Sequence, residues 1–316
     1  MRITVLAGGV GAARFLRGLR ATVPDADVTV IGNTGDDFTP FGLHVCPDLD
    51  TVMYTLGGGI SEEQGWGRAG ESHAVLSELG AYGAEPGWFG LGDRDIATHI
   101  LRSQMLAEGR TLSDATRVLC KRWQPGVTLL PMSDDPVRTH VTVELDGCEQ
   151  ELHFQEWWVR LQAAVPAVKI EPVGAATARP APGVLEAIEA ADFVLLPPSN
   201  PVVSTGVILA VPDIASAVRA KTVVGVSPII GGAPVRGMAD ACLAAIGVET
   251  SAAGVGAHYG ADLLDGWLVD EQDKDALDAP ELAGIVVRSR PLYMTTVAAS
   301  AEIARAAVEL ALEVGR

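Results

Sequence analysis

Short apolar runs, each ending in a glycine-rich or polar loop, constrain the fold of this 316-residue chain most strongly. Four such runs occur, at residues 3–7, 28–31, 193–196 and 222–226. Uninterrupted apolar strands are typical of parallel sheets that helices cover on both faces. Helical patterns, such as the one at residues 297–314, predict the helices that cover the two faces of the sheet. The sequence therefore predicts an α/β fold, a Rossmann-like and mostly parallel sheet with helices on both faces.

Charge and composition narrow the class of protein. A formal net charge of -17 argues against nucleic acid as a partner, because phosphate backbones are bound by clustered Lys and Arg. The cysteines at positions 46, 120, 148 and 242 form no Cys-x-x-Cys pair, so we expect buried free thiols. We find no signal-peptide pattern and no long apolar window, and we expect a cytoplasmic protein without a membrane partner.

Residues 59–124 differ in character from the rest of the chain. Three helical patterns occupy this segment, at residues 72–79, 93–108 and 111–123. No long β pattern interrupts them. We therefore predict a helical insertion at residues 59–124 in a Rossmann-like nucleotide-binding core formed by residues 1–58 and 125–316.

A glycine turn follows the first predicted strand. Gly8, Gly9 and Gly11, with Val10 between them, lead into a predicted helix. Glycine lets a backbone approach a ligand closely, and the start of a helix offers free N–H donors to phosphate. The spacing is neither the dinucleotide fingerprint nor a P-loop, and Asn33 stands where an NAD-binding protein has an acidic residue. The turn favours phosphate in general over NAD, with tight packing as the alternative.

Four carboxylates follow the second predicted strand closely: Asp36, Asp37, Asp48 and Asp50. Open α/β sheets bind ligands at the carboxyl ends of strands, and clustered Asp side chains hold hard cations that in turn hold phosphate. The alternative is structural, because Asp is also common in turns and at helix starts. We expect Asp48 to cap a helix over residues 49–56. Asp50 is expected to be exposed, so that its replacement leaves folding nearly intact.

Two later strands end in loops of similar design. The first loop occupies residues 197–201 and the second residues 227–232. If the sheet is parallel with right-handed crossovers, both loops should lie near the glycine turn. Each loop on its own is equally consistent with a plain turn. The acidic segment at residues 270–278 is most simply a solvated loop without chemistry.

Other residues leave two interpretations open. Trp157 and Trp158 follow a predicted β-hairpin over residues 141–154. Adjacent Trp side chains point to different faces, so one of them can cover a ligand ring, with packing of both as the alternative. Arg94, at the start of a predicted helix, is either a solvated charge or a contact for an anionic ligand.

Seven motifs span essentially the whole chain. They are Gly-Gly-Val-Gly-Ala-Ala-Arg at 8–14, Gly-Asp-Asp at 35–37, His-Val-Cys-Pro-Asp-Leu-Asp-Thr at 44–51 with Met-Tyr-Thr-Leu-Gly-Gly at 53–58, Trp-Phe at 88–89 with Leu-Gly-Asp-Arg-Asp at 91–95, Phe-Gln-Glu-Trp-Trp at 154–158, Pro-Ser-Asn-Pro at 198–201, and Ser-Pro-Ile-Ile-Gly at 227–231. Together they resemble the 2-phospho-L-lactate transferase family of coenzyme F(420) biosynthesis, specifically its actinobacterial phosphoenolpyruvyl-transferring branch. One departure is Ala12, where the family's turn often has a further glycine.

The resemblance implies a transferase reaction. The terminal ribityl hydroxyl of 7,8-didemethyl-8-hydroxy-5-deazariboflavin would attack an enolpyruvyl-diphospho-guanosine donor. The phosphoenolpyruvyl group would move to the deazaflavin, giving dehydro coenzyme F(420)-0 and GMP, with Mg²⁺ as the expected cofactor. The family also implies a homodimer. Displacement at phosphorus depends mainly on positioning and charge stabilisation.

Under this hypothesis, individual residues receive expected roles. The catalytic residues are Asp50, Asp48 and Arg94, with Asp50 contacting the acceptor or taking its proton. The metal ligands are Asp36, Asp37, Asp48 and Asp50, of which Asp36 and Asp37 form a metal-side pair. The residues expected to bind donor or acceptor are Gly8, Gly9, Val10, Gly11, Asn33, Thr51, Trp88, Ser199, Asn200, Pro201, Ser227, Pro228, Ile229 and Gly231.

The main alternative is a regulatory protein that binds a UDP-sugar and has no transfer activity, from a related group with a similar glycine turn and Asp-Asp loop. The stretch at residues 44–51 and the two Ser/Pro loops favour the transferase. Phosphoenolpyruvyl and phospholactyl donors differ by one double bond, and the residues alone leave both open.

Overall fold

The computed structural model describes residues 1–315, which form a seven-stranded sheet between helical layers and a separate three-stranded sheet. The strands are β1 (Arg2–Ala7), β2 (Asp27–Gly32), β3 (Thr128–Pro131), β4 (Arg138–Leu145), β5 (Cys148–His153), β6 (Ala167–Val173), β7 (Phe193–Leu196), β8 (Val223–Val226), β9 (Ile229–Ile230), β10 (Ala233–Pro234), β11 (Gly266–Val269) and β12 (Val286–Ser289). The α-helices are α1 (Gly9–Thr22), α2 (Pro47–Leu56), α3 (Ala74–Ala81), α4 (Asp93–Ala107), α5 (Leu112–Trp123), α6 (Val184–Ala190), α7 (Thr205–Leu209), α8 (Pro212–Arg219), α9 (Ala239–Ala245), α10 (Ala252–Tyr259) and α11 (Val297–Val314).

The large sheet has the strand order β12-β11-β8-β7-β1-β2-β3, and all its neighbouring strands are parallel. From β1 the chain moves outward through β2 and β3 on one side, and later from β7 to β12 on the other. The strand order therefore reverses between β1 and β7. In open α/β sheets, the crevice at such a reversal is where ligands bind. The predicted fold class is confirmed.

The central strands are buried on both faces. On β1, Val5 and Ala7 pack in a core with α1, α2 and α11, whereas Leu6 packs in a second core with α6, α7 and α8. Successive side chains of a strand point to opposite faces of the sheet. The alternate residues of an uninterrupted apolar run therefore pack in the two cores on either side. This explains why the apolar runs show no alternation.

Residues 59–124 contain α3, α4 and α5 and, within the described part of the chain, no named strand. The third of these helices starts as its sequence indicates, because Thr111 and Asp114 form a reciprocal capping box. The boundary between core and insertion stays a prediction. No helix among residues 1–315 is long and apolar enough to cross a membrane.

The predicted hairpin is confirmed as β4 and β5, and β6 pairs with the other edge of β4. This small antiparallel sheet is separate from the large one. Its core includes Trp157, which is fully buried and donates its indole N–H to the carbonyl of Val165 at 2.7 Å.

Three local expectations need correction. Cys46, not Asp48, occupies the N-cap position of α2, so Asp48 lies inside the first turn of the helix and its carboxylate is free for other contacts. Residues 271–278 form a 3₁₀ helix, and Asp270 before it is buried and accepts from the backbone N–H of Leu292 at 2.8 Å. All four cysteines are free, but Cys148 is exposed.

Substitution of Gly18 tests how closely α1 packs against α11. A Cβ at this position would lie 2.3 Å from the carbonyl carbon of Ser300, which is backbone and cannot turn aside. We expect Gly18→Ala to lower the free energy of unfolding by about 1–3 kcal/mol, measured by chemical denaturation. The control is Gly80→Ala on α3, where a Cβ meets nothing within 4 Å and the change should be neutral or slightly stabilising. Equal effects at both glycines would contradict the close helix crossing.

Candidate functional site

A cavity of about 570 Å³ opens where the strand order reverses, beyond the carboxyl ends of β1 and β7. The glycine turn, the start of α2 and the loops after β7 and β8 all border it. The residues predicted from the sequence that line it are Gly8, Gly9, Val10, Gly11, Asp36, Asp48, Thr51, Ser199, Asn200, Ser227 and Pro228. The parallel sheet thus gathers segments from distant parts of the chain at one site.

The glycine turn is packed too closely for any other residue. A Cβ on Gly8 would lie 2.7 Å from Asp48 Oδ2, and one on Gly11 would lie 2.2 Å from the carbonyl oxygen of Pro198. Gly9 has a φ of +73°, which favours glycine. The glycines therefore allow tight packing, as the alternative interpretation had it. The turn also borders the cavity, where its binding of phosphate stays a prediction.

The side-chain amide of Asn33 joins two of the four carboxylates. Its Nδ2 donates to Asp48 Oδ2 at 2.9 Å and to Asp36 Oδ1 at 3.3 Å, and it lies 3.1 Å from the carbonyl oxygen of Val203. Asp48 Oδ1 accepts from the backbone N–H of Gly9 at 2.7 Å. Asn33 is fully buried behind the two carboxylates that line the cavity. An acidic residue at position 33 would add a third buried charge, which explains the amide there.

The surroundings of Asp36 and Asp48 favour the binding of a proton or a cation by these carboxylates. Burial raises the pKa of Asp48 to about 6, against the opposing hydrogen bonds from Asn33 and Gly9. Burial, followed by the charge of Asp48, also raises the pKa of Asp36 well above its usual value. Two buried carboxylates that share one donor are stabilised when a proton or a metal ion offsets their charge.

Asp37 has different partners. Its Oδ2 accepts from the thiol of Cys46 at 3.0 Å and lies 3.3 Å from His44 Nε2, while its buried Oδ1 has no hydrogen-bond partner among residues 1–315. Asp37 does not line the cavity. The structure therefore pairs Asp36 with Asp48 and not, as expected, with Asp37.

Asp50 is buried, and the expectation of an exposed side chain is wrong. Its carboxylate forms an ion pair with Arg102 of α4, and its Oδ2 lies 3.8 Å from His99 Nδ1. His99 Nε2 lies 3.3 Å from Asp95, which accepts from the hydroxyl of Tyr54 at 2.6 Å. Burial raises the pKa of Asp50, and Arg102 opposes the rise. This buried network joins α2 to α4, and Asp50 does not reach the cavity lining.

The loop after β7 contacts the glycine turn directly, as the topology predicted. Ser199 Oγ donates to the carbonyl of Gly8 at 2.9 Å. Asn200 Oδ1 accepts from the backbone N–H of Val202 at 2.9 Å and so shapes the loop. Pro201 is buried beneath it and does not line the cavity.

The loop after β8 presents Ser227, Pro228 and Ile230 to the cavity. Ser227 Oγ accepts from the backbone N–H of Ile229 at 3.1 Å, and Ile229 itself is buried in the core. Gly231 lies outside the lining, where its N–H donates to Asp273 at 3.0 Å. The second polar loop therefore reaches the site with only part of its predicted residues.

Arg94 and Trp88 lie outside the cavity lining. Arg94 is exposed and donates to the carbonyl of Ala69 at 3.3 Å. Trp88 stacks on Phe38 with ring centroids 6.1 Å apart. The geometry favours a solvated charge for Arg94, and a contact between Trp88 and a ligand stays a prediction.

Several residues that line the cavity received no role from the sequence, although Arg14, Phe89 and Phe154 stand in the seven motifs. They are the cations Arg14 and Arg236 and the aromatic residues Trp66, Phe89 and Phe154. Arg14 follows Val10 by four residues, a helical spacing that would have placed both on one face. Of the adjacent tryptophans, Trp157 packs in the core, while Trp158 packs against that core and also lines the cavity. A contact between Trp158 and a ligand ring stays a prediction.

The fold and the cavity define a doubly wound α/β protein whose crevice, at the reversal of strand order, is bordered by a glycine turn, buried carboxylates and two arginines. The chain belongs to the family described as 2-phospho-L-lactate transferase CofD, whose model matches residues 3–287. The resemblance inferred from the seven motifs is confirmed, and the protein is a transferase by family.

Relatives with high identity cover nearly all of the chain. A phosphoenolpyruvate transferase of Thermobifida fusca is 66% identical over 321 residues, covering 99% of this chain and 98% of the relative. A phosphoenolpyruvate transferase of Streptomyces griseus is 66% identical over 316 residues, with 99% of each chain covered. A crystal structure of a upf0052 family member from Bacillus halodurans has a TM-score of 0.61 at 18% identity, covering 97% of this chain and 99% of that one. This last likeness concerns the fold alone.

Substitution of Arg102 tests the buried ion pair between Arg102 and Asp50. Removing one partner of such a pair leaves an uncompensated charge, so we expect Arg102→Met to lower the free energy of unfolding by about 3–5 kcal/mol in chemical denaturation. Arg117→Met is the control, because Arg117 pairs with Asp114 on an exposed surface, where the loss should stay below about 1 kcal/mol. A small effect at both positions would mean that Arg102 does not hold Asp50 in the folded protein.

Proposed function

We propose that this protein transfers a phosphoenolpyruvyl group from enolpyruvyl-diphospho-guanosine to the ribityl hydroxyl of 7,8-didemethyl-8-hydroxy-5-deazariboflavin. The products are GMP and dehydro coenzyme F(420)-0. The observation that carries the proposal is the 66% identity to phosphoenolpyruvate transferases over nearly the whole chain. The cavity supports it, because its volume of about 570 Å³ lies within the range of small-molecule sites.

In the proposed reaction the hydroxyl oxygen forms a bond to the phosphorus that carries the enolpyruvyl group. The bond between this phosphorus and the bridging oxygen breaks, and GMP leaves with the electron pair. The hydroxyl proton passes to a carboxylate of the cavity. Asp48 suits this role, because its carboxylate lines the cavity at the start of α2.

Asp50 receives an indirect role in this proposal. Its carboxylate is engaged by Arg102, and it holds the start of α2, on which Asp48 also lies, against α4. Asp50 then acts as a positioning residue two positions along the helix from Asp48. The donor's diphosphate would lie along the glycine turn, whose backbone borders the cavity.

Mg²⁺ is part of the proposal as cofactor. Asp36 and Asp48 fit a hard cation, since both are buried carboxylates that border the cavity and have raised pKa values without a metal. The bound ion would neutralise charge on the transferred phosphoryl group. Asp37 is the third candidate ligand, because its Oδ1 is buried without a partner among the described residues.

The alternative, a regulatory protein that binds a UDP-sugar, is less well supported. The relatives that share two thirds of all residues with this chain are phosphoenolpyruvate transferases, which favours transfer activity. A cytoplasmic location and a homodimer remain further parts of the proposal, and the homodimer is the one that the family resemblance implies.

The direct test is turnover. We expect purified protein, incubated with the deazaflavin, Mg²⁺ and the enolpyruvyl donor, to form the phosphorylated deazaflavin, detected by mass. Asp48→Asn should lower kcat by roughly 10²–10⁴-fold if Asp48 takes the proton. Asp262→Asn, an exposed residue of the Arg219 ion pair, is the control and should leave kcat unchanged. Absence of product, together with thermal stabilisation by UDP-glucose but not by GDP, would refute the transferase.

Metal binding has its own test. We expect Mg²⁺ to stabilise the wild-type protein against thermal unfolding by about 1–3 kcal/mol at saturating concentrations. Asp36→Asn and Asp48→Asn should each lose most of this effect, while Asp262→Asn keeps it. Full Mg²⁺ stabilisation in both cavity variants would exclude Asp36 and Asp48 as ligands.

A further inference from the structure

Four charged side chains line the cavity: Asp36, Asp48, Arg14 and Arg236. The two carboxylates are held by Asn33 and by the N–H of Gly9. The two arginines have no acidic partner in the cavity, although the chain as a whole carries a net charge of -17. Two guanidinium groups that border one cavity without a carboxylate between them offer a binding place for an anion.

Arg14 lies on α1, four residues after Val10, so the two share the face of the helix that borders the cavity. Its side chain is half-buried. Within residues 1–315 it takes part in no hydrogen bond or ion pair. Arg17, three residues further along the helix, differs in this respect, because it pairs with Glu62 at 2.9 Å.

Arg236 reaches the same space from the other half of the chain. Its guanidinium donates to the backbone carbonyl of Gln64. A Cβ on Gly65 would lie 2.8 Å from Arg236 Nη1 and 3.1 Å from Val10 Cγ1, so the arginine lies beside the glycine turn. Burial and the nearby positive charge of Arg14 both lower the pKa of Arg236. The two guanidiniums therefore repel each other across the cavity when no anion lies between them.

We propose that Arg14 and Arg236 form an anion subsite that binds the diphosphate of the donor. Guanidinium groups offer several N–H donors in a fixed plane and bind phosphate through charge-assisted hydrogen bonds. An anion between the two would remove their repulsion and lie beside residues 8–11. The subsite rests on the proposed function for the identity of its ligand. In this proposal Arg14 and Arg236, and not Arg94, neutralise the charge of the donor.

Calorimetric titration with inorganic pyrophosphate and with GDP tests the subsite without turnover. We expect Arg14→Gln and Arg236→Gln each to raise the Kd for both probes by roughly tenfold to a hundredfold, since a charge-assisted hydrogen bond is lost. Arg305→Gln is the matched control, because Arg305 pairs with Glu302 on the exposed face of α11. This variant should bind both probes as the wild type does. Circular dichroism confirms that each variant is folded.

The outcomes separate the subsite from the proposed function. Pyrophosphate binding that weakens in both cavity variants supports the subsite, even if no deazaflavin product is ever formed. Unchanged Kd values in folded Arg14→Gln and Arg236→Gln overturn it, even if the wild type proves to be an active transferase. Absence of binding of both probes to the wild type overturns it as well.

Discussion

The amide of Asn33 is the interaction on which the site depends. It is fully buried, and it ties the end of β2 to Asp36, to Asp48 of α2 and to the backbone before α7. An amide can donate two hydrogen bonds without adding charge, which lets two carboxylates approach each other in a buried setting. Without it, their mutual repulsion and desolvation would favour opening of the loop. Burial keeps the pKa values of Asp36 and Asp48 raised. The two carboxylates are therefore stabilised when they bind a proton or a cation.

A second buried network holds the helical segment against the core. Asp50, Arg102, His99 and Asp95 form a continuous chain of charged and hydrogen-bonding groups between α2 and α4. Buried ion pairs add little net stability but make misplacement of either partner costly. The network therefore specifies how α4 lies relative to α2. Asp48, on the same first turn as Asp50, is positioned by this arrangement.

The cavity divides into regions of different chemistry. Carboxylates lie where the glycine turn meets α2, and arginines lie beside Val10. Aromatic side chains such as Trp158 and Phe89 line other parts of it. The proposed donor and acceptor carry a diphosphate and flat rings, which suit charged and aromatic linings respectively.

The sequence by itself determined the parallel α/β fold, the family and the segments that meet at the site. Apolar runs without alternation allow only strands covered on both faces, and the carboxyl ends of such strands share one edge. Only the tertiary structure decided which side chain of each segment faces the ligand. Asp48 and Asp50 are two residues apart on one helix, so their side chains point in different directions, one to the cavity and one to Arg102. Arg236 and Trp66 joined the site through contacts between distant segments, which no local pattern encodes.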